Sequence, residues 1–382
     1  MRRILLVPDL PAERWPSMDR YAARVAQHLP REAADLQIDL SSKVPGFTPG
    51  TDTPVSDASG EARLPLPGFG PLGRYGSRYL TYPRRVGAAR VDLVHVLDHS
   101  YAHVVHSVTR AIRVVTVHDL FPVMTVARRD TGLRARVRDR LLGWVLSGLR
   151  RADAWVVGTE WLRGGLAEWL GHEKGIHVIP FGVDDHFFTP TPEPREAVRR
   201  RLGIPSSAFV VLHVGNVAPR KNLPGVIAAV HGLRVAGTDA WLVRVGDALT
   251  REQQDDVEGR GMADRVKALG ATSEPELRAV YRTADVLLFP SHYEGFGFPV
   301  LEAMASGLPV VTSGLGGLVE AAGRAAVVVG DQDVDRYVAE LRRLAAEPGW
   351  REQVIARGTE HARRFRWADT ARRMAELYRS LV

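Results

Sequence analysis

Two acidic side chains in one short segment are the first candidates for chemistry. Residues 290–309 read PSHYEGFGFPVLEAMASGLP, with Glu294 and Glu302 eight positions apart. The apolar run before this segment predicts a buried strand that ends at Phe289, and residues 300–306 predict a short helix. Glu294 would then lie in the connecting loop. Glu302 would lie about one turn into the helix, where a carboxylate can bind ribose hydroxyls in a bidentate way.

The loop between the two glutamates suits an anionic ligand. Gly295 and Gly297 allow the backbone to approach a bound group closely. The amides of residues 295–298, which include Phe296 and Phe298, lie at a helix N-terminus and can hold anionic oxygens. The structural alternative is an ordinary strand–turn–helix connection with a capping glutamate. The pattern as a whole favours a binding site.

The elements that must position these residues alternate between short apolar runs and helical patterns. The runs are rich in β-branched residues and apolar on both faces, which is typical of strands buried in a parallel sheet. They lie at 4–7, 91–97, 113–117, 154–157, 178–180, 209–214, 241–245, 266–269, 286–289, 310–312 and 326–329. The alternation predicts an α/β protein with two doubly wound, Rossmann-like domains, whose sheets would face each other across a cleft.

We place the two domains at residues 1–185 and 195–360, because the stretch 189–194 carries three prolines. Residues 361–382 predict a C-terminal helix that packs back on the first domain. Ligands of open parallel sheets bind beyond the carboxyl ends of the strands. The polar and glycine residues that follow predicted strands are therefore the candidates: His118-Asp119, Gly215-Asn216, Gly246-Asp247, Ser291-His292 and Ser313-Gly314.

The segment 284–313 resembles the E-x7-E signature of retaining GT-B glycosyltransferases, specifically glycosyltransferase family 4 (glycosyl transferases group 1). Residues 213–223, HVGNVAPRKNL, resemble the phosphate-binding segment of that family. Shorter similarities cover 114–122, 179–188 and 365–378. The resemblance implies a GT-B fold and a nucleotide-sugar donor, and it says little about the acceptor.

The resemblance also implies roles for individual residues. Glu294 would hydrogen-bond the hydroxyls of the donor sugar, and Glu302 would bind the ribose. Arg220 and Lys221 would hold the diphosphate and stabilise the charge of the leaving group; the alternative for this pair is a solvated loop. His118 corresponds to a position near the donor sugar and the anomeric centre, although a lone histidine at a strand end is more often structural.

The nucleotide is expected to lie against loop backbone. Residues 270–273 resemble the family segment whose backbone contacts the base, so Gly270 and Ala271 are candidates together with Gly215, Asn216 and Gly246. Backbone contacts leave little trace in a sequence, so the base stays unnamed.

Two departures from the family pattern bear on binding. The loop at 8–21 carries no glycine where the family commonly has a pair, and Trp15 could form an apolar wall there instead. Asn216 stands where many relatives have arginine, and Arg220 could replace the missing charge.

The implied reaction is transfer, with retention, of a mannose- or glucose-type hexose from GDP-mannose or a UDP-hexose to a hydroxyl of a glycan, lipid-linked or small-molecule acceptor. A glycosidase is disfavoured because one carboxylate is used for ribose, and an NAD-dependent dehydrogenase because G-x-G-x-x-G is missing. A GT-B epimerase and a catalytically silent sugar-nucleotide-binding protein remain open. Beyond the donor, no cofactor is expected. No metal is expected either, since the acids at 331–333 favour a turn.

Composition excludes further kinds of functional site and predicts the location of the protein. The 382 residues include no cysteine, which excludes disulfides, thiolate metal sites and cysteine nucleophiles. No secretory signal or membrane-spanning run is predicted, so we expect a cytoplasmic protein that could lie peripherally at the inner face of the membrane.

The net charge of +7 lies entirely in residues 1–180. It suits a phosphorylated acceptor or an anionic membrane, or it reflects an arginine-rich composition alone. Residues 128–151 carry eight arginines and predict an amphipathic helix that either rests on anionic lipid or packs on the sheet. No nucleic-acid partner is expected, because no nucleic-acid-binding motif is present.

Overall fold

The computed structural model describes residues 1–10, 16–41, 75–120, 133–330 and 332–382. The chain divides into two compact units, which we call unit 1 (Met1–Gly182 and Trp367–Val382) and unit 2 (Val183–Arg366). The division lies close to the predicted boundaries at 185 and 361. The proline-rich stretch 189–194, however, lies inside unit 2 rather than between the units.

The strands follow the predicted apolar runs closely. They are β1 (Arg2–Val7), β2 (Leu36–Leu40), β3 (Leu93–Val96), β4 (Ile112–Val117), β5 (Ala154–Val157), β6 (Ile176–Val178), β7 (Phe209–Val214), β8 (Ala240–Val245), β9 (Val266–Ala268), β10 (Val286–Phe289), β11 (Val310–Thr312) and β12 (Val327–Val328). β2 was not predicted, and β6 ends where the run at 178–180 was expected to begin.

Helices connect these strands. The described α-helices are α1 (Pro16–Glu32), α2 (Tyr82–Gly87), α3 (Leu133–Arg150), α4 (Glu160–Leu170), α5 (Arg195–Arg201), α6 (Leu223–Val235), α7 (Arg251–Gly259), α8 (Glu274–Thr283), α9 (Phe298–Ala305), α10 (Leu318–Ala322), α11 (Val334–Ala346), α12 (Pro348–Ala362) and α13 (Trp367–Leu381). Short 3-10 turns cover His99–Ser107, Asp185–Phe188, Pro219–Lys221 and Ala263–Arg265, and a π turn covers Ser77–Thr81.

Each unit is built on a six-stranded parallel sheet. The strand order in unit 1 is β2-β1-β3-β4-β5-β6, and the order in unit 2 is β12-β11-β10-β7-β8-β9. All hydrogen-bonded neighbours in the two described sheets run parallel, so the predicted α/β class with two doubly wound sheets is confirmed. The direction of winding reverses between β1 and β3 in unit 1 and between β7 and β10 in unit 2, and ligands of such sheets bind at that switch point.

Unit 1 takes its last helix from the C-terminal end of the chain. α13 packs against α1, and Thr370 Oγ1 donates a hydrogen bond to the Pro180 carbonyl at 2.8 Å. Gly182 lies so close to this helix that a Cβ there would stand 2.4 Å from the backbone nitrogen of Trp367. Position 182, where the first of the two segments of unit 1 ends, therefore requires a glycine.

Candidate active site

The switch point of unit 2 brings together the predicted cations and the first predicted acid. Lys221 follows β7, Glu294 follows β10, and the distance from Lys221 Nζ to Glu294 Oε1 is 2.5 Å. Arg220 Nη1 lies 3.3 Å from the other carboxylate oxygen of Glu294. Lys221 and Glu294 are only 7% and 8% exposed. The three charged groups thus form one cluster, largely buried, at the place where an open sheet binds its ligand.

Local backbone geometry holds the two cations in place. Residues Pro219–Lys221 form a 3-10 turn, which ends at Asn222 in the left-handed conformation with φ of 52°. The Asn222 side chain caps α6 by accepting a hydrogen bond from Gly225 N at 3.2 Å. The Arg220 carbonyl in turn accepts from His292 N at 2.7 Å. The turn after β7 is therefore tied directly to the loop after β10.

Glu302 lies on the helix that begins after the glutamate loop. It is 2% exposed and accepts a hydrogen bond from the Tyr281 hydroxyl at 2.9 Å. Gly297 precedes α9 with φ of 109°, a conformation that favours glycine, and Phe296 is buried against the Phe298 ring at 5.2 Å. The sequence did not indicate Tyr281, on α8, because its hydroxyl binds Glu302, which lies on another helix.

Three glycines form a floor of bare backbone at the carboxyl ends of β7, β8 and β9. Gly215 N donates to Val245 O, and Gly246 N donates to Gly270 O, both at 2.9 Å. A Cβ on Gly246 would lie 1.8 Å from the Gly215 carbonyl oxygen, so no side chain fits there. We call Gly215, Gly246 and Gly270 the glycine floor; a ligand above it meets main-chain atoms.

Two other predicted contacts lie beside the glycine floor. Asn216 Oδ1 accepts a hydrogen bond from Ala218 N at 3.2 Å, which fixes the loop after β7. Ala271 follows Gly270 and is exposed. Both residues thus follow strand ends of unit 2, as the sequence predicts.

A second glycine loop, after β11, supports the glutamate loop. The sequence named its first residues, Ser313-Gly314, as a candidate position but did not predict these contacts. Gly317 N donates to the Glu294 carbonyl at 2.7 Å. A Cβ on Gly316 would lie 2.7 Å from that same oxygen, and one on Gly317 would lie 2.2 Å from Gly295 O. The sequence SGLGG at 313–317 carries the signal, because clustered glycines after a strand indicate close backbone packing.

His118 stands at the carboxyl end of β4 in unit 1. It is 7% exposed, and its Nε2 lies 2.8 Å from the Leu97 carbonyl oxygen. Burial lowers the pKa of His118, so the ring is neutral at pH 7. Because a carbonyl oxygen can only accept, Nε2 carries the proton, and Nδ1 offers a lone pair. No described residue hydrogen-bonds this Nδ1, although it is buried.

The remaining predictions lie partly outside the described residues. Trp15, residues 128–132 and Asp331 are among those not described. Helix α3 covers the later part of the predicted arginine-rich helix, with residues 136–140 exposed and Val145 and Leu149 buried. No helix in the described ranges is long and apolar enough to cross a membrane.

Comparison with family models matches both halves of the chain. Residues 18–187 match the model "Glycosyltransferase Family 4", and residues 194–361 match the model "Glycosyl transferases group 1".

Curated relatives are similar over part or most of the chain. The D-inositol 3-phosphate glycosyltransferase of Thermobispora bispora is 35% identical over 53% of this chain and 50% of the relative. The same-named protein of Corynebacterium efficiens is 30% identical over 80% of this chain and 75% of the relative. The match thus spans about half the length of the first of these relatives and three quarters of the second.

Solved structures match over the whole chain. Sucrose-phosphate synthase from Thermosynechococcus elongatus has a TM-score of 0.73 at 22% identity, covering 100% of this chain and 99% of that one. HepE of Anabaena, solved in complex with UDP-glucose, has a TM-score of 0.75 at 18% identity, covering 100% of both chains. At these identities the likeness establishes the fold, which is GT-B.

Proposed function

This chain belongs to glycosyltransferase family 4, and from that premise we propose that it transfers a hexosyl group, with retention, from a nucleoside-diphosphate sugar to an acceptor hydroxyl. The observation that carries the proposal is the buried cluster at the switch point of unit 2. Two cations and a carboxylate meet there within 3.3 Å, beside a floor of bare backbone and a second buried carboxylate.

The chemistry of this cluster fits the parts of such a donor. A diphosphate takes two cations, and Arg220 and Lys221 are the pair beside the switch point. Hexose and ribose hydroxyls on either side would hydrogen-bond Glu294 and Glu302 respectively. The base would lie over the glycine floor near Gly270. The donor's phosphates would compete with Glu294 for both cations, so that its carboxylate becomes available to the sugar.

The proposed transfer balances without an added reagent. The bond between the anomeric carbon and the diphosphate oxygen breaks, and the acceptor oxygen bonds to the same face of that carbon. The acceptor proton passes to the departing phosphate, which leaves as nucleoside diphosphate. Arg220 and Lys221 stabilise the charge on that phosphate; removal of one such donor typically costs about 10²–10³ in kcat. His118, in unit 1, would offer Nδ1 as a hydrogen-bond acceptor to a sugar hydroxyl.

The acceptor and the donor base are narrower proposals. Relatives are named for D-inositol 3-phosphate, and HepE was solved with UDP-glucose. These names favour a cyclitol or other small polyol as acceptor and a UDP-hexose over GDP-mannose as donor. We expect the transfer to proceed in EDTA, because the proposed charge stabilisation uses two side-chain cations.

A donor panel followed by product analysis tests the function. UDP-glucose, UDP-N-acetylglucosamine and GDP-mannose are first compared for thermal stabilisation of the full chain. A ligand at 100 times its dissociation constant stabilises by about 2.7 kcal/mol. Nucleotide release is then measured with and without D-inositol 3-phosphate and myo-inositol, and the glycoside is examined by proton NMR. An inverted anomeric centre contradicts the proposed mechanism.

Two variants separate transfer from the rival activities. We expect Lys221→Met and Glu294→Gln to abolish acceptor-dependent release, whereas the exposed Glu360→Gln leaves it unchanged. A GT-B epimerase would instead interconvert donor sugars without an acceptor. A silent binding protein would show donor stabilisation with no product.

Peripheral contact with an anionic membrane through residues 128–151 is a separate proposal. It is supported by the exposed arginines at 136, 138 and 140 and by Val137, which is 49% exposed on the same turns of α3. Changing these three arginines to glutamine should abolish co-sedimentation with phosphatidylglycerol vesicles. Equal binding of the wild type to neutral phosphatidylcholine vesicles would exclude the proposal.

A further inference from the structure

Three side chains of metal-binding types meet in unit 2, and none of them belongs to the charged cluster at its switch point. They are Asp184, His186 and Glu274, and one ligand atom from each lies within 4.8 Å of the other two. Within the described ranges, this is the one group of three or more potential ligands found so close together. The group combines an imidazole with two carboxylates, which is a ligand set that transition metals bind.

The group lies between a short turn and the start of a helix. Asp184 comes directly before the 3-10 turn Asp185–Phe188, and His186 is the second residue of that turn. Glu274 is the first residue of α8. Asp184 is 6% exposed, whereas the side chains of His186 and Glu274 are 23% and 25% exposed. One carboxylate is therefore buried, and solvent reaches part of the other two side chains.

Packing holds the turn against the helix. Arg282 Nη2 donates a hydrogen bond to the Phe187 carbonyl at 3.0 Å, and Arg278 Nη2 donates to Thr189 Oγ1 at 2.9 Å. The Phe187 ring meets the Tyr281 ring edge-on, with the ring centres 5.8 Å apart. The fold of unit 2 thus brings the three potential ligands together without the help of a metal.

One nitrogen in this group is buried and forms no hydrogen bond. His186 Nε2 is shielded from solvent, and no residue in the described part of the chain forms a hydrogen bond with it. Glu274 Oε1 lies only 3.0 Å away, but outside the direction in which the ring nitrogen can donate or accept. Because buried polar atoms normally have a partner, a partner other than this oxygen is expected in the plane of the ring.

The spacing and the ligand types fit zinc. Zinc binds imidazole nitrogen at about 2.0–2.1 Å and carboxylate oxygen at about 2.0–2.2 Å, so two ligand atoms of a tetrahedral ion lie about 3.3 Å apart. His186 Nε2 and Glu274 Oε1 are close to that separation. The imidazole disfavours magnesium and calcium, which take oxygen ligands.

We propose that Asp184, His186 and Glu274 bind a zinc ion that fixes the start of α8 against the turn Asp185–Phe188. Each carboxylate supplies one oxygen, the imidazole supplies Nε2, and water takes the fourth position. The ion is structural and has no part in the proposed transfer, which uses the side-chain cations Arg220 and Lys221. The site therefore goes beyond the proposed function and agrees with transfer in EDTA.

Zinc titration of the full chain, after EDTA treatment and removal of the chelator, tests the site. Binding is measured by competition with a chromophoric zinc indicator, and circular dichroism checks that each variant is folded. We expect the wild type to bind one zinc ion that equal concentrations of magnesium or calcium do not displace. His186→Gln and Glu274→Gln should each weaken binding at least about tenfold, since loss of a group behind a metal ligand already costs about 10–100-fold.

His172→Gln is the matched control. His172 is exposed and lies in unit 1, in the connection between α4 and β6. This variant should bind zinc as the wild type does. Zinc should raise the unfolding temperature of the wild type and of His172→Gln, and it should leave that of His186→Gln unchanged.

Cobalt substitution identifies the histidine directly. The ring protons of a histidine bound to Co²⁺ move far outside the ordinary range of a proton NMR spectrum. With one equivalent of Co²⁺, the wild type and His172→Gln should show one such histidine, and Glu274→Gln and His186→Gln should lose its signals. The wild-type spectrum decides the site even if a ligand variant fails to fold.

The plain alternative is an ion pair between protonated His186 and Glu274 at the start of α8. It predicts that the wild type binds no zinc and shows no shifted histidine. Either of those results, equal zinc binding by both ligand variants, or displacement of zinc by magnesium overturns the inference. Stabilisation by UDP-glucose is measured in EDTA on the same preparations. Its absence contradicts the proposed function and leaves the zinc result to decide the metal site on its own.

Discussion

Replacing Lys221 with methionine tests how the buried cluster of unit 2 is stabilised before any donor binds. Lys221 Nζ lies 2.5 Å from Glu294 Oε1 and 4.9 Å from the centre of the Phe289 ring. Methionine keeps the unbranched apolar stem near that ring and removes the charge. The Glu294 carboxylate, 8% exposed, then retains Arg220 at 3.3 Å as its cation within the described part of unit 2.

The expected magnitude follows from burial and from that second cation. Removing one partner of a buried ion pair typically costs about 3–5 kcal/mol, because a buried charge is left uncompensated. Since Arg220 still faces the carboxylate, we expect the lower end, about 3 kcal/mol in the free energy of unfolding. The double variant Lys221→Met/Glu294→Gln removes both charges and should recover most of this loss, ending within about 1 kcal/mol of wild type.

Urea unfolding followed by tryptophan fluorescence at pH 7.5, without ligand, measures the free energies of unfolding of the wild type, Lys221→Met, Glu294→Gln and the double variant. Glu360→Gln is the control, because Glu360 and Arg363 form an exposed pair with side chains 65% and 57% exposed. That change should cost less than about 1 kcal/mol. If the double variant is as unstable as the sum of the two single variants, the charges do not interact and the reasoning fails.

Three further predictions concern the glycine floor, the proposed ribose contact of Glu302 and the response to acid. Gly246→Ala should lower the unfolding temperature, since φ at this position is 133° and the added Cβ would lie 1.8 Å from Gly215 O. The control Gly164→Ala, on α4, places its Cβ in open space and should leave the unfolding temperature unchanged or slightly raised. Glu302→Gln should weaken UDP-sugar binding about tenfold by calorimetry, and Tyr281→Phe less so, because only the first removes the charged acceptor. Burial holds the pKa of His95 and of His213 at about 3. Between pH 6.5 and pH 3 the unfolded chain therefore binds protons that the folded chain does not. As the pH is lowered through this range, the free energy of unfolding falls by up to ~1.4 kcal/mol per pH unit for each ring. His213→Gln should remove the contribution of one ring to this pH dependence when the free energy of unfolding is measured by urea titration at several pH values. An unchanged pH dependence would contradict the assignment to His213.

Much of the fold could be predicted because buried parallel strands leave continuous apolar runs. Val286–Phe289 and Val310–Thr312 match their predicted bounds, since their residues are buried on both faces. β2 was not predicted because Leu36–Leu40 is an edge strand with one hydrogen-bonded neighbour. Its burial falls after Leu36, and LQIDL alternates instead of forming an apolar run.

The candidate site was predicted as a set of residues but not as a set of contacts. Glu294, Lys221 and Arg220 carry the family pattern, yet the ion pair joins residues 73 positions apart. Only the strand order, with β7 beside β10, makes them neighbours.

The glycine floor restricts how this protein can diversify. Gly215, Gly246 and Gly270 present main-chain atoms whose chemistry is the same in every variant, and Gly246 accepts no larger residue without displacing its neighbour. All three glycines have positive φ, so a larger residue at any of them strains the backbone, and at Gly246 it also meets the Gly215 carbonyl. If the proposed nucleotide lies over the glycine floor, its selectivity changes most readily through neighbouring side chains such as Asn216 and Ala271, while Gly246 stays fixed.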